Sequence, residues 1–358
     1  MSRPSASPRY RDYVRHSLAQ RVPAILRIAA DGQDGAAVAG LAALAGAIAA
    51  NAPMRLAPDE LPLPGWEDLP GAVDGLRPSE AAFFDFEFWL YARIAQAVGF
   101  GRTGNDPFRA TKHRDLDRHL AWAGAALEAT AGLPAALALA LDANAHDLSQ
   151  LGRPAATIDL GRDLLRIDAA EVSRLNIIAD NFGGEFVADL VLAVIAAEAG
   201  IETALHVKRL PMFVSDTTEE DVALLLEKAS RSNRFGARLH AVHDAGRLRL
   251  AAHPFWSAPL FLDRLPIAEL GQGPGVLNVL KGDLNFRRAV GDACVAVDTP
   301  FAALDTLPVA PMLALRSIKS YCAAGMAGWP SELSREDFPK DGTIVVVQRI
   351  PGRATACA

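Results

Sequence analysis

Cysteine is scarce: Cys294, Cys322 and Cys357 are the only three in 358 residues. They form no Cys-x-x-Cys pair, which argues against a thiolate zinc site and against a disulfide framework. Long apolar runs are also missing. The longest, Ala36 to Ala50, is Ala-rich and shorter than the ~18 residues expected of a membrane span; it reads as a buried core helix. Excess positive charge is lacking, since the formal net charge is −6. That disfavours a duplex nucleic-acid partner, whose binding face needs clustered Lys and Arg, but permits a local basic pocket. Met1 to Arg15 mixes Ser, Pro and Arg without an apolar centre, unlike a secretory signal. A cytoplasmic protein with no membrane or nucleic-acid partner is expected.

Several catalytic signatures are absent as well: no GxxxxGK[ST] loop, no GxSxG elbow, no HExxH helix and no Cys-His arrangement. Gly271-Gln272-Gly273-Pro274-Gly275 precedes a strand candidate instead of following one, so it is a turn and not a dinucleotide loop. His240 and His243 are read as lying on a strand, where a spacing of three points them to opposite faces.

What is present is globular composition, 51% hydrophobic and 22% charged, in a chain longer than one hydrophobic core usually serves. Two units are expected, a helical lobe over 1–154 and an α/β domain over 155–358. Helical spacing marks Arg11 to Ala30, Ala36 to Ala50, the aromatic stretch Ser79 to Gly99, and Leu116 to Leu141 with a break at Gly132 and Pro134. The stretch from Ala57 to Arg77 is a Pro- and Gly-rich connection. Beyond residue 155, strand Leu175 to Ala179, helix Gly184 to Glu198 and strand Thr203 to Val207 form a β-α-β unit, the element of a parallel sheet. A helix over Glu219 to Ser230 follows, with Thr217-x-x-Glu220 as a capping box. Ala237 to Val242 and Arg247 to Ala252 read as a hairpin. Val276 to Leu280, Cys294 to Val297, Met312 to Ser317 and Thr343 to Gln348 are further strand candidates.

In open α/β sheets, ligands bind beyond the carboxyl ends of the strands, beside helix N-termini. Four segments stand at such positions. Asp180-Asn181-Phe182-Gly183-Gly184-Glu185 offers hard oxygen ligands suited to Mg²⁺ or Mn²⁺, although an N-cap would use the same residues. Asp216 ends Phe213-Val214-Ser215-Asp216, again ahead of a helix, where an N-cap by itself would explain it. Lys281-Gly282-Asp283-Leu284-Asn285-Phe286-Arg287 brings a cation, a flexible turn and a helix start. Arg316-Ser317-Ile318-Lys319 puts two cations at a strand end, which could equally be surface residues.

Taken in this order, the segments resemble the damage-control phosphatase family, whose pattern joins an Asp-Asn turn, a later Asp before a helix, and a Lys-Gly-Asp-Leu-Asn turn. The likeness extends to Ile178-Ala179, Gly184-Glu185, Asp189-Leu190, Phe213-Val214-Ser215-Asp216-Thr217 and Val290-Gly291-Asp292. Arg316-Ser317-Ile318-Lys319 is similar to the Arg-Thr-x-Lys signature of the members that act on sugar phosphates. Asn144-Ala145-His146-Asp147-Leu148-Ser149 resembles the family's Asn-x-x-Asp-Leu-Ser stretch. Ser317 replaces the usual Thr, Phe286 the common Tyr, and Met212 a frequent Trp.

The resemblance implies a three-layer αβα sandwich with a mainly parallel sheet, an N-terminal helical lobe, and an active site where the two meet. It implies a divalent cation (Mn²⁺, Co²⁺, Ni²⁺ or Mg²⁺) on Asp180, Asn181 and Asp216. Substrate contacts would come from Asp283, Leu284, Asn285, Phe286, Arg287 and Lys319, with a contribution from Asn144 and Asp147; Lys281, Arg287 and Lys319 are expected to supply positive charge around the phosphate. The expected substrate is a small phosphorylated metabolite such as a sugar phosphate. Asp216 and Lys319 are expected to face a solvated cleft. Two other readings are an S-adenosylmethionine-dependent carboxyl methyltransferase, since relatives have been so described, and a non-catalytic sugar-phosphate binder. Methyl transfer needs neither a metal nor a ring of cations, whereas phosphate hydrolysis benefits from both.

Overall fold

The computed structural model describes residues 7–56, 65–144, 158–229 and 233–353. Among these described residues, seven strands form one sheet: β1 (Ile158–Leu160), β2 (Arg174–Ile178), β3 (Glu202–His206), β4 (Leu248–Ala251), β5 (Val276–Lys281), β6 (Met312–Ser317) and β7 (Ile344–Ile350). Their order is β1-β7-β6-β5-β2-β3-β4. Every neighbouring pair is parallel except β6 with β7.

Strand alternation sends successive side chains to opposite faces, and both faces are apolar. Leu175, Ile177, Val279, Leu313 and Leu315 join one core, with the helices Leu116–Ala129, Gly132–Asn144, Gly184–Glu198 and Arg234–Asp244. Ile178, Leu280, Met312 and Ala314 join the other, with Pro8–His16, Val22–Ala30 and the aromatic helix Phe83–Ala97. The expected three-layer αβα sandwich is therefore present, and helices preceding residue 145 cover both faces. Gly184–Glu198 is the innermost helix, buried from Glu185 to Ala197. Each of its larger apolar side chains contributes about 1.5–3 kcal/mol by leaving water.

Four local expectations are corrected. Ala237 to Val242 is not a strand but part of the helix Arg234–Asp244, capped by Asn233, which accepts from the Gly236 N–H at 2.7 Å. Phe235, Leu239 and Val242 recur at helical spacing and are its buried face. β4 pairs parallel with β3 instead of closing a hairpin, and His240 and His243 share a helix. Cys294 to Val297 stays outside the sheet. The capping box lies one residue later, on Thr218 and Asp221. Finally, Gly35–Ala49 buries only Ala37, Leu41 and Ile48; it is a surface helix whose exposed alanines cost little. Among the described residues, no helix is long and apolar enough to cross a membrane.

Candidate functional site

β2 and β3 end side by side, with Ile178 opposite His206, and the chain beyond each would diverge without further pairing. Backbone hydrogen bonds prevent that. Phe182 N–H donates to Ser215 O at 2.6 Å and Thr217 N–H to Asp180 O at 3.0 Å, so Asn181 and Asp216 face each other across an antiparallel bridge. Lys208 is tied into the same seam, donating its N–H to Thr217 O at 3.0 Å. Residues 35 positions apart in the sequence thus become adjacent at one point on the sheet edge.

Three side chains meet there, all buried: Asp180, Asn181 and Asp216. The Asn181 amide donates to Glu185 Oε2 at 2.9 Å and to Asp180 Oδ2 at 3.2 Å. Its carbonyl oxygen accepts from the Ser215 hydroxyl at 2.5 Å. That orientation fixes which end of the amide faces each neighbour. The Lys208 ammonium lies 3.5 Å from Asp216 Oδ1 and donates to Ala179 O at 2.9 Å. Asp216 Oδ2 and Asn285 Oδ1 are buried with no hydrogen-bond partner among the described residues. Such oxygens are costly to leave unpaired.

The electrostatics follow from burial. Asp180 is pushed well above the usual carboxylate range by desolvation, opposed by Lys208 and reinforced by Glu185 and Asp216. Lys319, half-buried just after β6, also acts on Asp180 to lower it. Desolvation raises Asp216 to about 6 against the pull of Lys208 and Lys112. Two carboxylates and an amide oxygen, with unpaired lone pairs and excess negative potential, are a hard-oxygen donor set that fits a divalent cation.

Gly282 is required by this packing. Its φ is +82°, and a Cβ there would come within 1.8 Å of Asp180 Oδ2. Only glycine lets the turn after β5 pass so close to the carboxylate. The Asn285 amide donates to Lys281 O at 2.9 Å and more loosely to Ala179 O at 3.3 Å, which aims its free carbonyl oxygen.

Two expected phosphate contacts are committed elsewhere. The Lys281 ammonium is fully buried, 2.5 Å from Asp189 Oδ1 and 3.3 Å from Glu185 Oε1. It is tied to the helix that follows Asp180 and Asn181 and does not face a cleft. Arg287 is buried between Asp292 and Glu87, each at 2.6 Å, and so joins the turn after β5 to the helix Phe83–Ala97. Asp283 receives Arg316 at 2.7 Å, Phe286 is a buried ring beneath the Arg316 guanidinium, and Leu284 is half-buried. Asn144 ends the helix Gly132–Asn144, while Asp147 lies outside the described residues. Asp216 is only 2% exposed, which corrects the expectation of a solvated side chain.

Sequence reasoning missed Lys208 and a second network. Lys208 stands two residues beyond β3, the same positional rule that marks Asp180 after β2. In the second network, Lys112 is buried against Asp106 at 2.6 Å and Asp221, and donates to the Asp216 main-chain oxygen at 3.3 Å. His113 Nε2 contacts Asp221 Oδ1 at 2.6 Å while its ring stacks on Phe182. Burial opposes ionisation of Asp221, yet His113, Lys112 and Thr218 together bring it down to about 2. This anchor fixes the Asp216 loop to the short helix Arg109–His113. A separate cavity of about 720 Å³, lined by Tyr10, Asp85 and Asp292 among others, includes none of Asp180, Asn181 and Asp216.

A profile of the damage-control phosphatase ARMT1-like domain matches residues 20–332. Damage-control phosphatase ARMT1 of Mus musculus is 34% identical over 181 residues, 46% of this chain and 41% of that protein. The Homo sapiens protein of the same name is 32% identical over 173 residues, 44% and 39% of the two chains. That of Danio rerio is 31% identical over 192 residues, 49% and 43%. The chain spans about two fifths of the length of these curated relatives. A crystal structure of a DUF89 family protein from Pyrococcus horikoshii aligns with a TM-score of 0.47 at 17% identity, covering 93% of this chain and 97% of that one. With most of its length matched by the profile, the chain belongs to the family of ARMT1-like damage-control phosphatase domains.

Proposed function

We propose that this chain is a divalent-metal-dependent phosphomonoester hydrolase acting on small phosphorylated metabolites, sugar phosphates being the favoured class. The observation that carries the reading is the seam between 180–182 and 215–217, which gathers two carboxylates and an amide with an unpaired oxygen on Asp216. Asp180, Asn181 and Asp216 would hold the cation, which when bound polarises a phosphoryl oxygen and lowers the pKa of a water. Lys208 neutralises Asp216 and limits repulsion between the carboxylates. Lys319 supplies a positive charge beside Asp180 suited to a phosphate oxygen. The carbonyl oxygen of Asn285 can accept from a sugar hydroxyl, whereas Lys281 and Arg287 act indirectly, by holding the loops that carry these groups.

The test is phosphate release from a panel of hexose and pentose phosphates with Mn²⁺, Co²⁺, Ni²⁺ or Mg²⁺, repeated after chelation. Release is expected to require added metal, because a site of two carboxylates and one amide binds weakly and openly. Undiminished turnover in a metal-free preparation, or no release from any panel member, would overturn the proposal. A second expectation concerns Lys319→Ala. An ammonium that meets the phosphate in both ground and transition states contributes uniform binding. Its loss is expected to raise KM about tenfold or more with a smaller fall in kcat; steady-state kinetics reads the two apart, and an unchanged KM counts against the contact.

A further inference from the structure

We propose that Arg21, carried by the N-terminal helices, is an anion contact for the substrate's phosphate, a position that the sequence motifs do not include. The inference rests on the phosphohydrolase reading above and adds a binding group to that site.

The geometry begins with the backbone. Between Pro8–His16 and Val22–Ala30 the chain runs through a π-helical turn, Ser17–Arg21, in which Val22 N–H donates to Ser17 O. Pro23 follows and has no N–H to donate, which disfavours regular α-helical bonding across this point. Wide turns of this kind are uncommon and concentrate at functional sites. Here the turn brings residue 21 back over residues 17 and 13. Arg21 Nη1 donates to the Tyr13 hydroxyl and, at 3.3 Å, to Ser17 Oγ, and the guanidinium carbon lies 5.4 Å from the Tyr13 ring centroid.

These described partners are neutral. An arginine has five N–H donors in a rigid fork, and the two hydroxyls engage only Nη1. Tyr13 is itself fixed, buried edge-on against Phe83 and Tyr321 at 5.4 and 5.2 Å. Arg21 nevertheless remains exposed. A guanidinium that is held in place by a buried tyrosine, yet open to solvent and not neutralised by the groups that hold it, is preorganised for a planar, bidentate anion.

Its surroundings relate it to the metal-ligand seam. Tyr91 packs at 4.6 Å on Phe213, three residues before Asp216, and Phe213 has a φ of +61°. Burial pushes Tyr91 up, and it feels the charges of Glu87, Arg21 and Asp216 together. Tyr13 does most to hold Arg21 protonated, against partial desolvation, with smaller contributions from Glu87 and Tyr91. Glu87 is buried and bound to Arg287. Tyr13, which holds Arg21, packs at 5.2 Å on Tyr321, two residues beyond Lys319, so Arg21 stands against the segment that carries the other proposed phosphate cation. A phosphate held by Lys319 would then have the Arg21 fork as a second anion contact, from the helical side.

The experiment measures inorganic phosphate binding to the Mn²⁺-loaded full chain by titration calorimetry, for wild type, Arg21→Gln and Arg21→Lys, with Mn²⁺ affinity and thermal melts in parallel. Expected is a rise in the phosphate Kd of about ten- to a hundredfold in Arg21→Gln, with only partial rescue by Lys, which keeps the charge and loses the fork. Mn²⁺ affinity is expected to stay at the wild-type value, because Arg21 touches no proposed metal ligand, and the melting temperature to fall by no more than a few degrees, from loss of the bond to the buried Tyr13 hydroxyl. Wild-type phosphate affinity in Arg21→Gln overturns the assignment and leaves the phosphohydrolase reading intact. A wild-type chain that binds Mn²⁺ but neither binds phosphate nor releases it from any phosphoester overturns both.

Discussion

Asp216→Asn is expected to abolish most turnover while the chain stays folded. The substitution keeps the shape of a side chain that is 2% exposed and packed beside Lys208; alanine would leave a hole there and strand the ammonium. What it removes is one of only two carboxylates in the proposed ligand set. Changes in groups that merely support a metal ligand already cost about 10- to 100-fold, so loss of a direct ligand is expected to lower kcat/KM by roughly a hundredfold or more and to weaken Mn²⁺ binding in step. Steady-state kinetics over a Mn²⁺ titration, with a thermal melt as folding control, reads both. A folded Asp216→Asn protein with wild-type kcat and wild-type metal dependence would show that the site lies elsewhere.

Arg287→Ala is expected to have its main effect on stability. Its guanidinium is enclosed by Glu87 and Asp292, lies near the Tyr321 hydroxyl at 3.4 Å, and sits within 6 Å of the Phe83, Phe84 and Tyr321 ring centroids. Deleting it leaves two buried carboxyl groups without their counter-charge. Removing one partner of a buried ion pair costs about 3–5 kcal/mol, because the remaining charge is uncompensated. Denaturant unfolding should show a midpoint lowered accordingly, with the loss reduced when Glu87→Gln is added, since one stranded charge is then gone. If Arg287→Ala instead keeps wild-type stability and raises KM for a phosphoester, Arg287 is a substrate ligand and its packing against Glu87 is incidental.

The same arginine illustrates how the site could and could not be read from the chain. Its place in Lys-Gly-Asp-Leu-Asn-Phe-Arg marked a turn between a strand and a helix, and that turn exists, with β5 ending at Lys281 and the helix starting at Asp283. The pattern says nothing about which way each charge points. Lys281 is the last residue of β5, buried against Asp189 and Glu185, while Arg287 sits a turn of helix later and meets Glu87, 200 residues distant. Partners so remote leave no local signature. The reverse failure occurred at Ala237 to Val242. There, alternation over a few residues imitated a strand, and the buried triplet Phe235, Leu239 and Val242 is apparent only over the full helix.

Local sequence by itself determined the β-α-β unit around Gly184–Glu198, the helix over Phe83–Ala97 and the polar turns at 180, 216 and 282. Apolar spacing, glycine and capping residues act within a few positions of where they stand. The tertiary structure alone decided that Asn181 bridges Asp216, that Lys208 joins them, that β7 runs antiparallel to β6, and that Arg21 stands over Tyr13 and Ser17. Each of these depends on which strands become neighbours and on the depth at which a charge is buried. Those quantities follow from the packing of the whole chain, and a buried ion takes its role from whichever counter-charge that packing brings within reach.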